Sequence, residues 1–171
     1  MATGMLSLYF GNHETSDFWV DCLKAWWETA RSKCRGIRRL VIYLDNGPKN
    51  SGSRTQFLKR IVELADWSGL EIRLVYYPPY HSKYNPIERC WSSLQQKWNG
   101  VLLRCWQVVE ACARRMTWKG LHPNVHRIEK AYPIGVRVPR REMMLINERL
   151  ERSNTIPKYD IIIKPKSPRG R

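Results

Sequence analysis

The stretches VIYLDNGPKN, residues 41–50, and IRLVYYPPYHSKYNPIER, residues 72–89, decide the fold. The first apolar run ends at Asp45. The second, Ile72 to Tyr77, is stopped by two prolines, which cannot donate to a sheet ladder. Each run predicts a buried strand, and a helical pattern lies between them. Two parallel strands joined by a helix end at the same sheet edge, so the pattern predicts that Asp45 is delivered to that edge.

A helix with clear start signals follows the second strand. Asn85 suits the cap position, Pro86 the first helical position and Glu88 the third. Both acidic residues also have structural interpretations: Glu88 can close a capping box, and Asp-Asn-Gly at Asp45 is common turn chemistry. If Asp45 and Glu88 instead meet at the sheet edge, two converging carboxylates suit a hard divalent cation.

The rest of the chain continues the alternation of strands and helices. A short strand is expected at residues 6–10, and a helix capped by Thr15 or Ser16 carries a tryptophan stripe that we interpret as core. Ser51 or Ser53 is expected to cap the next helix, which ends at Gly69. Further helices are expected near residues 86–98, 102–116 and 139–152, and a strand at 159–163. This order predicts an α/β fold with a parallel sheet and flanking helices.

The charge favours a polyanionic partner. The 171 residues contain 30 Lys and Arg against 15 Asp and Glu, a net charge of +15 with a pI near 10.0. Nucleic acid is the commonest partner for such a balance, and a merely basic surface is the plain alternative. The basic residues lie in loops and are scattered, whereas a membrane surface would favour one long amphipathic helix. A basic run at residues 31–39 has no acidic residue and can hold phosphates.

Other chemistries have little support in the sequence. The five cysteines show neither CxxC nor zinc-finger spacing, which predicts free thiols and a reducing, cytoplasmic location. His122 and His126 have the spacing of some zinc helices, but Pro123 interrupts them and no glutamate lies between. No nucleophile elbow, phosphate-binding loop or dinucleotide fingerprint is present. No secretory leader or membrane-spanning run is expected.

The segment LDNGPKNSGSRTQFLKRIVELADWSGLEIRLVYYPPYHSKYNPIERCWSSLQQKWNG, residues 44–100, closely resembles DDE transposases of bacterial insertion sequences, in the Azo-thirteen-like group. LDNG and PPYHSKYNPIE are specific in combination, and the similarity extends from about Leu6 to the last strand. The resemblance implies an RNase H-like fold with two aspartates and a glutamate around two Mg²⁺ or Mn²⁺ ions. It also implies DNA as partner, both element ends and target, and nucleoid association.

On this resemblance Asp45 matches the second aspartate and Glu88 the glutamate, both catalytic and metal-binding. Their supports are expected to be Asn46, His81, Ser82, Lys83 and Asn85. The candidate DNA-binding residues are Arg35, Arg38, Lys49, Arg54, Lys83, Arg89 and Lys97.

The family's first aspartate has no equivalent here. Only about ten residues precede the first helix, enough for one strand, the third of the fold, and Asp17 and Asp21 lie on that helix. We therefore expect a truncated, inactive fragment: an incomplete RNase H-like domain at 1–120, a helical extension with a closing strand at 121–163, and a basic tail at 164–171. Strand Arg39–Leu44 should expose an unpaired edge. The fragment is expected to form homo-oligomers or to join a full-length transposase.

Three alternatives stay open at this point. A non-catalytic nucleic-acid-binding module could stack bases on exposed aromatic rings, for which the candidates are Trp67, Tyr76, Tyr77, Tyr80 and Tyr84. Another RNase H-like nuclease or resolvase would act on branched or hybrid duplexes. A regulatory protein could capture a full-length transposase through the exposed strand edge.

Overall fold

The computed structural model describes residues 4–78, 81 and 84–166. Five helices and six strands lie in this part of the chain. In chain order they are β1 (Ser7–Phe10), α1 (Ser16–Ala30), β2 (Arg39–Leu44), α2 (Thr55–Ser68), β3 (Glu71–Tyr76), α3 (Pro86–Trp98), α4 (Trp106–Arg115), β4 (Asn124–Arg127), α5 (Arg140–Asn147), β5 (Leu150–Arg152) and β6 (Asp160–Ile163).

The chain divides into two compact units that are interleaved in sequence. Unit 1 contains Met1–Asn12 and Tyr80–Lys130, and unit 2 contains His13–Pro79 and Ala131–Arg171. The predicted functional boundaries after residues 120 and 163 stay a prediction.

Unit 2 is built on a four-stranded mixed sheet with the order β2-β3-β6-β5. β2 and β3 are parallel and in register from Arg39 opposite Glu71 to Leu44 opposite Tyr76. β6 pairs antiparallel with both β3 and β5. The predicted parallel pair is therefore confirmed, and the two strands end side by side, with Asp45 directly after β2.

β2 forms an edge of this sheet and is less buried than its apolar sequence predicts. Its burial alternates along the strand, with Val41 and Tyr43 exposed by 40% and 61% and only Leu44 buried. The expectation of a buried strand was wrong for one face of β2, because apolar cover lies over only the other face of the sheet. The opposite face carries ion pairs instead, between Arg73 and Asp160 and between Arg39 and Glu71.

Helix α2 supplies the centre of the unit 2 core. Its predicted apolar face is buried and packs with β3 and β6, whose Ile72, Leu74 and Ile161 are fully buried. The tryptophans of α1 differ in burial: Trp27 is buried, whereas Trp19 is only partly buried against the core. Burial of the apolar side chains is the main driving force for this arrangement.

The helix caps test the local sequence signals. The Thr15 hydroxyl accepts from the backbone N–H of Phe18, and Gly69 ends α2 in the left-handed conformation, as predicted. The predicted serine cap of α2 was wrong. Arg54 occupies that position without a side-chain bond, because the Ser51 and Ser53 hydroxyls bond to each other at 3.2 Å.

Unit 1 contains a two-stranded parallel sheet, β1 with β4, together with α3 and α4. Leu8, Leu94, Ala113 and Met116 form its core with Cys90. The strand at residues 6–10 was expected to be the third strand of the main sheet. In the described chain it instead pairs with β4, whose Val125 lies opposite Leu8.

The C-terminal part differs from the predicted long helix. α5 ends at Asn147, and Leu150–Arg152 is a strand, because β6 offers a ladder from Ile161 to Ile163. Of the expected basic tail, Lys164 pairs with Glu151 and the Lys166 backbone donates to Asp66. Residues 167–171 lie outside the described residues.

All five cysteines are free thiols, as predicted. Burial raises the pKa of Cys22 to about 12, so this thiol stays protonated and unreactive near neutral pH. Among the described residues, no helix has the length and apolar character needed to cross a membrane.

Candidate active site

Asp45 leaves the C-terminal end of β2 in a turn that fixes its carboxylate. Oδ1 accepts from the backbone N–H of Gly47 at 3.3 Å and from the side-chain amide of Asn50 at 3.0 Å. Asn46 takes the left-handed conformation that asparagine tolerates, with φ of 62°. A side chain at position 47 would begin 3.4 Å from Asp45 Oδ1, so glycine leaves that oxygen accessible.

The far end of this loop is anchored in the body of unit 2. Asn50 is only 2% exposed, and its backbone carbonyl accepts from the Tyr76 hydroxyl at 3.0 Å. Burial raises the pKa of Tyr76, so the phenol stays neutral and keeps donating. The Ser16 hydroxyl donates to the Lys49 carbonyl at 2.7 Å. The loop after Asp45 is thus held by β3 and by the first turn of α1, which pre-organises the carboxylate.

Most acidic side chains of the described chain pair with an arginine or a lysine. Arg60 binds Asp17 at 3.2 Å and Asp21 at 2.6 Å, and Asp17 also accepts two bonds from Gln56. These aspartates stabilise the packing of α1 on α2 and share one guanidinium as cation. That neither can stand in for the family's first aspartate stays a prediction.

Asp45 belongs to the small set without an ion pair among the described residues. The others are Glu14, Glu28, Glu88 and Glu148. In a chain with a net charge of +15, carboxylates left without a cation are conspicuous. Asp45 is held by neutral donors alone, so its negative charge is available to an external cation.

Glu88 lies in the first turn of α3, in unit 1. Asn85 is buried and caps the helix, with its side chain accepting from the Ile87 N–H at 3.3 Å, and Pro86 occupies the first turn as predicted. The capping-box interpretation of Glu88 is not observed: within residues 84–166 its carboxylate bonds to no backbone N–H and is exposed. Because Asp45 lies in unit 2, the meeting of the two carboxylates stays a prediction.

The predicted supports are only partly described. His81 stacks on Tyr84 with 5.8 Å between ring centroids, whereas Ser82 and Lys83 lie outside the described residues. Asn46 follows Asp45 directly. Asn50, which binds Asp45, was missed by the sequence analysis, because asparagine in a turn-rich segment has many plain interpretations.

The candidate DNA-binding residues differ in exposure. Arg35 and Arg38 are exposed in the loop after α1, and Arg89 and Lys97 are exposed on α3. Arg54 is less accessible: its Nε is buried without a hydrogen-bond partner among the described residues. Lys49 is half-buried, and the assignment of DNA binding to this set stays a prediction.

The aromatic rings that were candidates for base stacking also differ in exposure. Tyr76 is buried at 3% exposure, Trp67 and Tyr84 are exposed, and Tyr80 lies outside the described residues. The face of the Trp67 ring already contacts Lys24, whose ammonium lies 4.6 Å from the ring centroid. A continuous platform of rings for base stacking is therefore not formed by the described part of this set.

The two carboxylates are of the type that binds divalent cations, but two are fewer than such a site requires. Carboxylate oxygens are the ligands that Mg²⁺ prefers, and Asp45 and Glu88 are both exposed. Within the described residues, however, no group of three or more His, Cys, Asp or Glu side chains comes together. One carboxylate in each unit is less than a pair of ions requires.

A comparison with known families resolves the class of the protein. The family model described as the Rhodopirellula transposase DDE domain matches residues 2–165. The chain belongs to this family of transposase DDE domains. No curated protein and no solved structure matches it.

Membership in this family carries three general properties to the transposase domain described above. The fold is RNase H-like in class, consistent with the mixed sheet and flanking helices of unit 2. DNA is the partner of transposases, and DDE domains generally use divalent metal ions. The resemblance found in the sequence is thereby confirmed.

Proposed function

We propose that the chain is a part of the catalytic domain of an insertion-sequence transposase, with Asp45 and Glu88 as ligands of Mg²⁺ or Mn²⁺. The observation that supports this is the carboxylate of Asp45, which neutral donors position at the end of β2 and which has no ion pair within residues 4–78, 81 and 84–166. Asp45 and Glu88 would hold the ions, which would supply activation of a water or a DNA 3′-hydroxyl and stabilisation of the leaving oxygen. The protein's own contribution is to hold the carboxylate rigidly and to bind DNA through its positive charge.

We further propose that the chain, taken alone, binds DNA but cleaves it slowly or not at all. Asp17 and Asp21 are engaged by Arg60 and so cannot supply a third carboxylate. A site short of one ligand holds its ions weakly. Assembly with itself or with a full-length transposase and a cytoplasmic, nucleoid-associated location remain parts of this proposal.

A plasmid-nicking assay with Mg²⁺ or Mn²⁺ tests the proposal. Wild-type protein, Asp45→Ala and Glu88→Gln are compared on supercoiled DNA, with binding to linear duplex measured in parallel. We expect duplex binding that weakens steeply with salt and no robust nicking. Robust nicking that Asp45→Ala abolishes would disprove the inactivity but support the site. Absence of duplex binding would remove DNA as the partner.

A further inference from the structure

A basic cleft lies beside the loop that follows Asp45. It has a volume of about 410 Å³ and is lined by Asn46, Gly52, Ser53, Arg152 and Lys158, all in unit 2. This volume is within the range of about 300–1,000 Å³ typical of ligand sites. Asn46 is the residue after Asp45, so the cleft adjoins the loop that carries the candidate catalytic carboxylate.

Arg152 holds its positive charge in place at the cleft. Its guanidinium donates to the Gly52 carbonyl at 2.9 Å and to the Pro157 carbonyl at 3.1 Å. A guanidinium has five N–H donors, so these two bonds leave further donors for a ligand. The bonds also restrict the side chain before any ligand arrives, which lowers the entropy cost of binding.

Gly52 connects the loop after Asp45 to the segment between β5 and β6. A Cβ atom at this position would lie 3.1 Å from Ile161 Cδ1, 3.2 Å from the Lys158 carbonyl and 3.2 Å from Tyr76 Cε2. The backbone therefore fits closely against β3 and the β5–β6 hairpin because glycine has no side chain. This contact keeps Arg152 and Lys158 in a fixed position relative to the Asp45 loop.

The positive charge of the cleft is not neutralised by an acid in the described part of its lining. The described lining carries two cations, and Lys158 is exposed without an ion pair to a described residue. Acidic residues of the adjoining strands are engaged elsewhere, Asp160 with Arg73 and Glu151 with Lys164. A fixed guanidinium, an ammonium and a serine hydroxyl are the donor set that binds phosphate oxygens.

We propose that this cleft binds a backbone phosphate of DNA and so positions a strand next to Asp45. The inference rests on the proposed function, in which DNA is the substrate. It assigns a role to Arg152 and Lys158, which lie outside the basic residues that the sequence singled out. These two cations offset the repulsion that a phosphate meets near the Asp45 carboxylate.

Duplex binding by charge-matched variants tests this site. Lys158→Gln removes one charge from the cleft, and Lys164→Gln removes one charge from the same hairpin outside it. We expect Lys158→Gln to weaken binding roughly 5- to 10-fold at moderate salt and to reduce the salt slope by about one. Lys164→Gln should change the affinity by less than about 2-fold.

Arg152→Lys gives a second, independent measurement. It keeps the charge but loses the planar fork, so affinity should fall while the salt slope stays near the wild-type value. Its unfolding transition is recorded alongside, because Arg152 also binds Gly52. Equal affinities and slopes for Lys158→Gln and Lys164→Gln overturn the cleft as a phosphate site even if Arg152→Lys is unstable. Wild-type protein that binds no duplex overturns the proposed function instead.

Discussion

Asp17 and Asp45 are aspartates of the same unit with opposite surroundings. Asp17, in the first turn of α1, is 8% exposed and receives bonds from Gln56 and Arg60. Asp45, after β2, is exposed, and the bonds it receives from the described part of the chain come from neutral groups of its own loop. A carboxylate paired with a guanidinium stabilises the fold, whereas one oriented by neutral donors keeps its charge for another partner. Substituting the partners of Asp17 and those of Asp45 tests whether the first carboxylate is structural and the second is available to a cation.

Removing Arg60, the cation that pairs with Asp17, should have the largest effect on the free energy of unfolding. Arg60→Ala removes the guanidinium that Asp17 and Asp21 share in a partly buried place, where their side chains are 12% and 19% exposed. We expect the free energy of unfolding to fall by about 3 kcal/mol. Urea denaturation of the wild type and the variant measures the difference.

Arg73→Ala is the matched control for that measurement. Arg73 also binds an aspartate, Asp160, but its side chain is 39% exposed, so we expect a clearly smaller loss than for Arg60→Ala. Equal losses for the two variants would mean that burial does not separate the two kinds of ion pair.

Asn50→Ala addresses the other side of the comparison. It removes the buried amide that orients Asp45 but leaves the Asn50 backbone bond from Tyr76 possible. We expect a loss of about 1–2 kcal/mol, together with faster hydrogen exchange at the Gly47 amide. Asn46→Gly, at an exposed neighbour whose left-handed backbone glycine also adopts, is the control for general loop effects. Unchanged exchange at Gly47 in Asn50→Ala would show that the amide does not hold the turn.

The local part of this site could be predicted from sequence, and the distant part could not. Asp45 was found because an apolar run ends there, and Asn85 and Pro86 because helix caps have local signals. Arg152 was missed because its contact with Gly52 joins residues 100 positions apart. The sequence around it predicted a helix to residue 152, whereas Leu150–Arg152 is a strand that forms by pairing with β6.

The same limit explains the errors in the sheet. Whether β2 is buried on both faces depends on which elements cover it, and nothing within Arg39–Leu44 specifies that. The pairing of β1 with β4 joins Leu8 to Val125, a contact between segments more than a hundred residues apart that no local pattern specifies. Strand existence was predictable from periodicity, but strand partners were not.

The ion pair on the open face of the sheet predicts a modest acid dependence. The hydrogen bond from Arg73 lowers the pKa of Asp160 below its ordinary value. The folded state therefore binds this proton less readily than the unfolded state. The stabilisation is present above the unfolded pKa of about 3.9 and is lost as the pH falls through the lowered folded pKa.

Stability curves between about pH 5 and pH 2 measure this effect. Asp160→Asn should reduce the loss of unfolding free energy between about pH 5 and pH 2, because this carboxylate no longer titrates. The reduction should be less than about 1 kcal/mol. Arg73→Gln should flatten it in the same way, because it removes the cause of the shift. A full acid dependence in both variants would assign the effect to other carboxylates.

Asp45→Asn should have the smallest effect on folding and a clear effect on cation binding. The substitution keeps the size of the side chain and its acceptor oxygen, so the bonds from Gly47 and Asn50 can persist. We expect the free energy of unfolding to change by less than about 0.5 kcal/mol. Mn²⁺ binding, followed by water-proton relaxation, should weaken roughly 10-fold, because charge is what a hard cation requires. Asp17→Asn is the counterpart, losing stability while Mn²⁺ binding stays the same. If Asp45→Asn instead unfolds as easily as Arg60→Ala, Asp45 is a structural carboxylate like Asp17.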